Sequence, residues 1–394
     1  MAALGKDIFI LAATRTPIAA FRAALGGMSA PALGATAIRG ALARAAVRPE
    51  DVEDVVMGNV ISAGAGQSPA RQASFGAGIP TSAEATTINK VCASGMKAVS
   101  LAAQSILAGQ SQLVVAGGME SMSNVPYYTP RDSLSYGHVQ TRDGILADGL
   151  WDAVNNFHMG NCAENTARKH NITREQQDEY AIRSFTRSQK SLAEGLFTPE
   201  ITPVEIPGRR ASDKPTVFSV DEGPGKAKFD RIPTLRPAFE ADGTITAANA
   251  STLNDGAAAL VLASAEYVQA HGLKPIGRIV SFADGARDHI DFPTAPAISL
   301  PRAIAAAQLT TRDISLYEIN EAFAVVPLVN QQLLDLDPET VNVRGGAISL
   351  GHPIGASGAR ILVTLLHALQ AGQFGAASIC NGGGGSSSMV VQRL

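Results

Sequence analysis

The chain has 394 residues, of which 45% are hydrophobic and 17% charged, and its formal net charge is −3. That balance suits a globular protein of two or three domains, or one large duplicated one, and excludes a general nucleic-acid or membrane-surface role. No apolar run reaches transmembrane length, and three cysteines (Cys92, Cys162 and Cys380) are too few for a disulfide framework.

The stretch Met1–Asp7 is too short for a targeting peptide ahead of the first strand, so the cytosol is expected, or the mitochondrial matrix if a leader has been removed. Ile8–Ala13 reads as a buried strand, followed by a turn at Thr14-Arg15-Thr16-Pro17. Ser29 is placed to cap an Ala-rich helix over 30–46, with Pro31 in the first turn, where proline is tolerated. A second strand falls within 52–60 and a short helix over 70–76.

Thr86, Thr87 and Ile88 are β-branched and end a third strand. They lead almost directly into Asn89-Lys90-Val91-Cys92-Ala93-Ser94-Gly95-Met96-Lys97. Met96, Val99, Ala102, Ala103, Ile106 and Leu107 then follow helical spacing. The other faces are mostly small or apolar, which predicts a buried helix. A thiol between a strand and a helix's first turn meets free N–H groups and the positive end of the dipole. The expectation for Cys92 is therefore a lowered pKa and a larger thiolate fraction. Taken alone, a cysteine is more often a small core residue, and that reading also holds for Cys162. A strand over 112–118 follows, and the alternation predicts a mixed, mostly parallel α/β sheet covered on both faces.

Residues 122–249 are more polar and richer in loops and prolines. They are too long for a structureless loop and read as an inserted domain. The N-terminal half is then 1–121, with 250–273 returning to it, and the C-terminal half is 274–394. Within the insertion, Thr173-x-x-Gln176 is a capping box opening an amphipathic helix through Tyr180, Ile182, Phe185 and Leu192. Further on lies a basic set, Arg209, Arg210, Lys214, Lys226, Lys228 and Arg231. Residues 257–263 read as a strand and 265–271 as a helix.

The second half repeats the first. Ala93-Ser94-Gly95 recurs as Ala356-Ser357-Gly358 (356 − 93 = 263), and Ala108-Gly109-Gln110 as Ala371-Gly372-Gln373 (371 − 108 = 263). Each pair brackets a helix of the same length, followed by a strand running into glycines. Two matches at one offset predict a duplication that brings the two helix N-termini close together.

Just before the second helix stands Gly351-His352-Pro353-Ile354-Gly355. A histidine there has its cation disfavoured and is available as a base, unless it merely makes a structural hydrogen bond. Ala376–Cys380 is a strand running into Asn381 and four glycines, whose N–H groups can approach a ligand closely and form an oxyanion hole. Cys380 thus sits at a strand end, where α/β sheets bind ligands. Asn320, in Asn320-Glu321-Ala322-Phe323-Ala324, marks another strand-to-helix junction, where a helix cap is the alternative.

The motifs around Cys92, Asn320, His352 and Cys380, taken in that order, resemble those of the thiolase family, in particular its short-chain branch, and the resemblance covers the whole chain. It implies two duplicated halves in αβαβα layers with an inserted loop domain. It also implies reversible Claisen condensation of two acetyl-CoA to acetoacetyl-CoA and CoA through an acetyl-cysteine, with no prosthetic group. In that family pattern Cys92 is the nucleophile and His352 its base. Cys380 moves the α-proton of the second acetyl-CoA. Asn320 holds a water that, with His352, stabilises that substrate's thioester oxygen. The N–H groups of Cys92 and Gly382 bind the oxyanion.

The resemblance extends to the CoA site. His158 and Met159 line the pantetheine tunnel, Ser251 hydrogen-bonds the pantetheine, and Phe239 and Phe323 are apolar walls. Some of Lys226, Lys228 and Arg231 face the CoA phosphates. A homotetramer, a dimer of dimers, is implied, without nucleic-acid or membrane partners. Residues 247–253 and Asp291-Phe292-Pro293 resemble a potassium-activated subtype, in which Ala247, Ala248, Ala250 and Ile348 would offer backbone carbonyls to the ion. The tyrosine completing that site has no counterpart in Glu222-Gly223-Pro224-Gly225-Lys226. Ketoacyl synthases, a sister group, lack the second cysteine, and a cysteine hydrolase would have no use for it.

Overall fold

A computed structural model describes residues 7–133, 136–208, 210 and 212–394; Met1–Lys6 and Arg209 of the basic set lie outside the described residues. The first half contains β1 (Ile8–Arg15), α1 (Ala30–Ala45), β2 (Asp54–Gly58), α2 (Pro69–Gly76), β3 (Glu84–Ile88), α3 (Ser94–Leu107) and β4 (Leu113–Ser121). Ser29 accepts a hydrogen bond from the Ala32 N–H, and the helix it opens stops where Ala46 turns left-handed at φ 54°. The insertion carries α4 (Met159–Lys169) and α5 (Arg174–Ala193), the latter opened by the Thr173/Gln176 capping box. The chain then returns through β5 (Asn254–Ser264) and α6 (Ala265–His271). The second half holds β6 (Gly277–Ala286), α7 (Pro296–Ala306), β7 (Ile314–Ile319), α8 (Val325–Leu334), α9 (Ala347–Leu350), α10 (Ser357–Ala368), β8 (Phe374–Asn381) and β9 (Gly385–Arg393).

The strands form one 10-stranded mixed sheet in the order β7-β8-β9-β6-β1-β5-β4-β2-β3, with the two-residue strand Ala19–Ala20 paired to β5. The pairs β2–β3, β2–β4 and β7–β8 are parallel, while β1, β5, β6 and β9 run antiparallel to their neighbours. From the outer edges inward, β3-β2-β4-β5-β1 and β7-β8-β9-β6 are the same succession. The missing outermost place in the second half is taken by Val341, bridged in parallel to Tyr317. The halves join where Ile8 to Ile10 of β1 pair with Ile279 to Gly277 of β6.

Side-chain alternation divides this sheet between layers. Leu113, Val115 and Met119 of β4 pack against α1 and α2 in an outer core. Val114 and Ala116, with Ala377 and Ile379 of β8, face the paired helices α3 and α10 in a central core. Ala376, Cys380 and Val390 face a third core with α4, α7 and α8. The layers therefore run α–β–α–β–α, as the resemblance implies. The two central helices cross at Gly95 and Gly358, which are related by the 263-residue repeat. A Cβ on Gly358 would stand 2.5 Å from the Met96 nitrogen, and one on Gly95 would stand 2.8 Å from the Ala359 nitrogen.

The hairpin β8–β9 turns through Gly382–Gly384. The corresponding pair in the first half is β4–β5, and there the whole insertion replaces the turn. A buried ion pair ties the insertion back to the sheet. Arg15, fully buried, donates to Glu200 at 2.5 Å and to both oxygens of Asp221 at 2.8 and 2.9 Å. Among the described residues no helix is long and apolar enough to cross a membrane.

Candidate active site

Cys92 lies in the tight turn between β3 and α3. The Val91 N–H donates to Asn89 Oδ1 (2.8 Å), the Lys90 N–H donates to Ser94 Oγ (2.8 Å), and Ser94 Oγ donates to the Val91 carbonyl (2.6 Å). These bonds hold Val91 at φ 48°, in the left-handed region that a β-branched residue rarely adopts. Such a conformation costs roughly 1–3 kcal/mol and persists only when its surroundings impose it. Lys90 fastens the turn to the second half: its ammonium donates to Asp284 (2.7 Å), the Ser386 carbonyl (3.0 Å) and Ser387 Oγ (2.8 Å). Lys97 reaches the other Asp284 oxygen at 2.7 Å. Burial alone would raise the Asp284 carboxyl, but hydrogen bonds from Lys90, Lys97 and Ser387 outweigh it and bring the pKa to about 2.

The thiol does not behave as its helix-terminal position suggests. Burial pushes Cys92 up to about 11, although the backbone N–H groups of Gly382 and of Cys92 itself pull the other way. Two aligned N–H groups do not offset the loss of water around a thiolate. The resting group is therefore a thiol that needs a base, and the expectation of an enlarged thiolate fraction is corrected.

His352 precedes α10 and is 5% exposed. Its Nδ1 lies 2.7 Å from Ser357 Oγ, and that hydroxyl donates its proton to the Pro353 carbonyl at 3.0 Å. Ser357 can then only accept from the ring, so Nδ1 carries the proton and Nε2 is the free base. Nε2 has no hydrogen-bond partner among the described residues. Burial, helped by the charge of Arg360, lowers the imidazole to about 3, so it is neutral at rest. The His352 N–H donates to Asn254 Oδ1 (3.0 Å), which fixes the backbone of the turn.

Cys92, His352 and Gly382 share one cavity, lined also by Met122, Leu150, His158, Met159, Phe239, Ala250, Ser251, Leu253, Phe292, Phe323 and Ile354. Cys380 and Asn320 are buried and do not line it. Burial pushes the Cys380 thiol well up, and negative charge on Cys92 adds to that shift, so the two sulfurs are electrostatic neighbours. Both side-chain polar atoms of Asn320 lack a protein partner. A buried amide with no partner has capacity for a water or a substrate oxygen.

One side of the cavity wall is built from the insertion. His158 caps α4 by accepting the Gly160 N–H at its Nδ1 (2.9 Å), and its ring stacks on Phe239 at 4.7 Å. Phe239 meets Phe323 edge-on at 6.1 Å. Ser251 Oγ donates to the Ala322 carbonyl (2.9 Å), leaving its lone pairs to accept from a ligand. Lys226, Lys228 and Arg231 are exposed and do not line the cavity; Lys226 stands 3.5 Å from Glu222. Ala247, Ala248 and Ala250 lie on a loop held by Asn249, which joins Asp178, the Thr244 carbonyl and the Ala324 N–H. Ile348 is in α9, its N–H donating to Glu321 (3.0 Å). Among the described residues no donor of the chain is paired with these four carbonyls.

Sequence reasoning missed Ser357 as the partner of His352, although it stands in the repeated Ala-Ser-Gly. Its counterpart Ser94 bonds the Cys92 turn in the same manner. Glu120 and the apolar lining residues Met122, Leu150, Leu253 and Ile354 were also missed, having no motif to mark them.

Residues 8–266 match the family Thiolase, N-terminal domain, and residues 273–393 the family Thiolase, C-terminal domain. The mitochondrial acetyl-CoA acetyltransferase of Rattus norvegicus is 53% identical over 390 residues, covering 99% of this chain and 92% of its own. That of Danio rerio is 52% identical over the same length and coverage. The crystal structure of Acat5 thiolase from Ascaris suum in complex with coenzyme A superimposes with a TM-score of 0.95 at 47% identity, covering 99% of this chain and 100% of that one.

Proposed function

The chain belongs to the thiolase family, with the activity of an acetyl-CoA C-acetyltransferase, and from that premise we propose how its residues divide the work. It catalyses the reversible condensation of two acetyl-CoA to acetoacetyl-CoA and CoA, and needs no prosthetic group. Cys92 is the nucleophile. As its sulfur attacks the thioester carbon, its proton passes to Nε2 of His352, and the oxyanion is met by the N–H groups of Cys92 and Gly382. The observation that carries this reading is the unpartnered Nε2 of a histidine that lines the same cavity as the thiol.

The C–S bond of acetyl-CoA then breaks. Cys380 gives its proton to the departing CoA thiolate and is left as a thiolate itself. A thiol that holds its proton tightly is a strong base once deprotonated, and Cys380 next takes the α-proton of the second acetyl-CoA. The carbanion attacks the acetyl-cysteine, His352 returns its proton to Cys92, and acetoacetyl-CoA is released. Asn320, through a water, and His352 stabilise the enolate oxygen.

CoA lies along His158, Met159, Phe239, Ser251 and Phe323, with its phosphates outside near Lys226, Lys228 and Arg231. Residues 122–249 are the loop domain that binds CoA and joins a dimer of dimers. Potassium would be held by the carbonyls of Ala247, Ala248, Ala250 and Ile348, steadying the loop that carries Ser251. The curated relatives named above are mitochondrial, and of the cytosol and the matrix it is the matrix that their names support; both keep thiols reduced.

The assignment is tested by separating the half-reactions. Cys380→Ala should release one equivalent of CoA as Cys92 becomes acetylated and then fail to form acetoacetyl-CoA. Normal condensation by that variant removes Cys380 from the mechanism. Equal rates in KCl and NaCl would remove the potassium site.

A further inference from the structure

Glu120, near the end of β4, is fully buried and faces no cation. Its carboxylate instead accepts four N–H groups from two separate segments. From the segment after β2 come Asn59 Nδ2 (2.7 Å), the Val60 N–H (3.0 Å) and the Ile61 N–H (3.3 Å). From the segment before α10 comes the Gly355 N–H (2.9 Å), bound to the same oxygen as Val60. Gly355 is three residues past His352. The Val60 carbonyl in turn accepts from Asn89 Nδ2 (3.2 Å), and Asn89 Oδ1 accepts the Val91 N–H (2.8 Å) next to Cys92. One carboxylate thus closes a chain of bonds from the nucleophile's turn to the base's turn, across the boundary between the halves.

We propose that Glu120 is a positioning residue that keeps the His352 turn in register with the Cys92 turn, and that it does so only as the carboxylate. The proposal rests on Cys92 and His352 being nucleophile and base. Protonation would put an O–H where only N–H donors point, breaking at least one of the four bonds. The titratable groups facing Glu120 are Asp255 on β5 and Cys92 on the β3–α3 turn. His352 belongs to the Gly355 segment but turns its ring to Ser357 and the cavity. The nearest cation on α3, Lys97, is taken by Asp284. Burial pushes the Glu120 carboxyl up to about 7, the backbone bonds from Val60, Ile61 and Gly355 resist this, and Asp255 adds to it. The carboxylate, and with it the register, is therefore lost as pH falls through about 7. Neither partner in catalysis titrates there, since Cys92 sits at about 11 and His352 at about 3.

The test is the single-turnover rate of enzyme acetylation against pH, at saturating acetyl-CoA so that the nucleotide's phosphates affect KM and not the rate. The wild type should lose rate as pH drops through about 7. Glu120→Gln turns an N–H group against the donors and should be slower by up to about 100-fold at the alkaline plateau. Its profile should be flat where the wild type shows the limb. A flat wild-type profile overturns the proposal even if the variant does not fold. So does a Glu120→Gln enzyme with the wild-type rate and limb, which is what a purely structural carboxylate would give. Failure of the underlying reading is distinguishable, because wild-type enzyme at alkaline pH would then carry no acetyl group on Cys92.

Discussion

Ser357 shows how little separates a base from a bystander. By giving its own proton to the Pro353 carbonyl, it directs the ring proton onto Nδ1 of His352 and leaves Nε2 without a partner. Ser357→Ala should cut kcat for acetylation by about 10-fold with KM little changed, because the ring loses the partner that selects its tautomer while the CoA contacts remain. Stopped-flow release of CoA measures this, and an unchanged kcat would show that something else fixes the imidazole. At this scale the sequence was partly legible. The motif residues Cys92 and His352 stood out because a thiol and an imidazole each sit before a helix. The state of the thiol did not, because its protonation depends on burial by residues from both halves, and burial proved stronger than the helix-terminal N–H groups. Glu120 was silent for the same reason: its four donors come from segments some 60 and 235 positions away in the chain.

At the scale of elements, the repeated helix is the feature most directly readable from the chain. The 263-residue offset links α3 and α10, and they cross at the equivalent glycines. Gly358→Ala would place a methyl 2.5 Å from the Met96 nitrogen, against backbone that cannot move aside cheaply. Overpacking of this kind costs about 1–3 kcal/mol. Chemical denaturation should show that loss at Gly358, together with slower acetylation, since the same crossing sets both helix N-termini. A variant as stable as the wild type would mean that the helices are free to part. The antiparallel pairings were harder to read. β5 is contiguous with β4 only in space, after an insertion that displaces a turn of the kind kept at Gly382–Gly384 in the other half. Periodicity within a strand carries no information about which partner returns to it.

At the scale of the molecule, the two halves of one sheet with a shared central helix layer bring Cys92 from the first half and His352 from the second to one cavity. The half-boundary is fastened on both flanks of the nucleophile, by Lys90 and Lys97 on Asp284 and by Glu120 on Gly355. The insertion supplies part of the cavity wall through His158, Met159 and Phe239, and Arg15 locks it to the core through Glu200 and Asp221. The second half's counterpart of the insertion is a short glycine turn, and Gly382 of that turn lines the same cavity. The most direct measurement of the account is peptide mapping by mass spectrometry after mixing the wild-type enzyme with acetyl-CoA alone. The account predicts a single acetyl group on the peptide containing Cys92, discharged on addition of CoA and absent when His352 is replaced by Ala. Acetyl groups on Cys380 or elsewhere, with Cys92 unmodified, would contradict it.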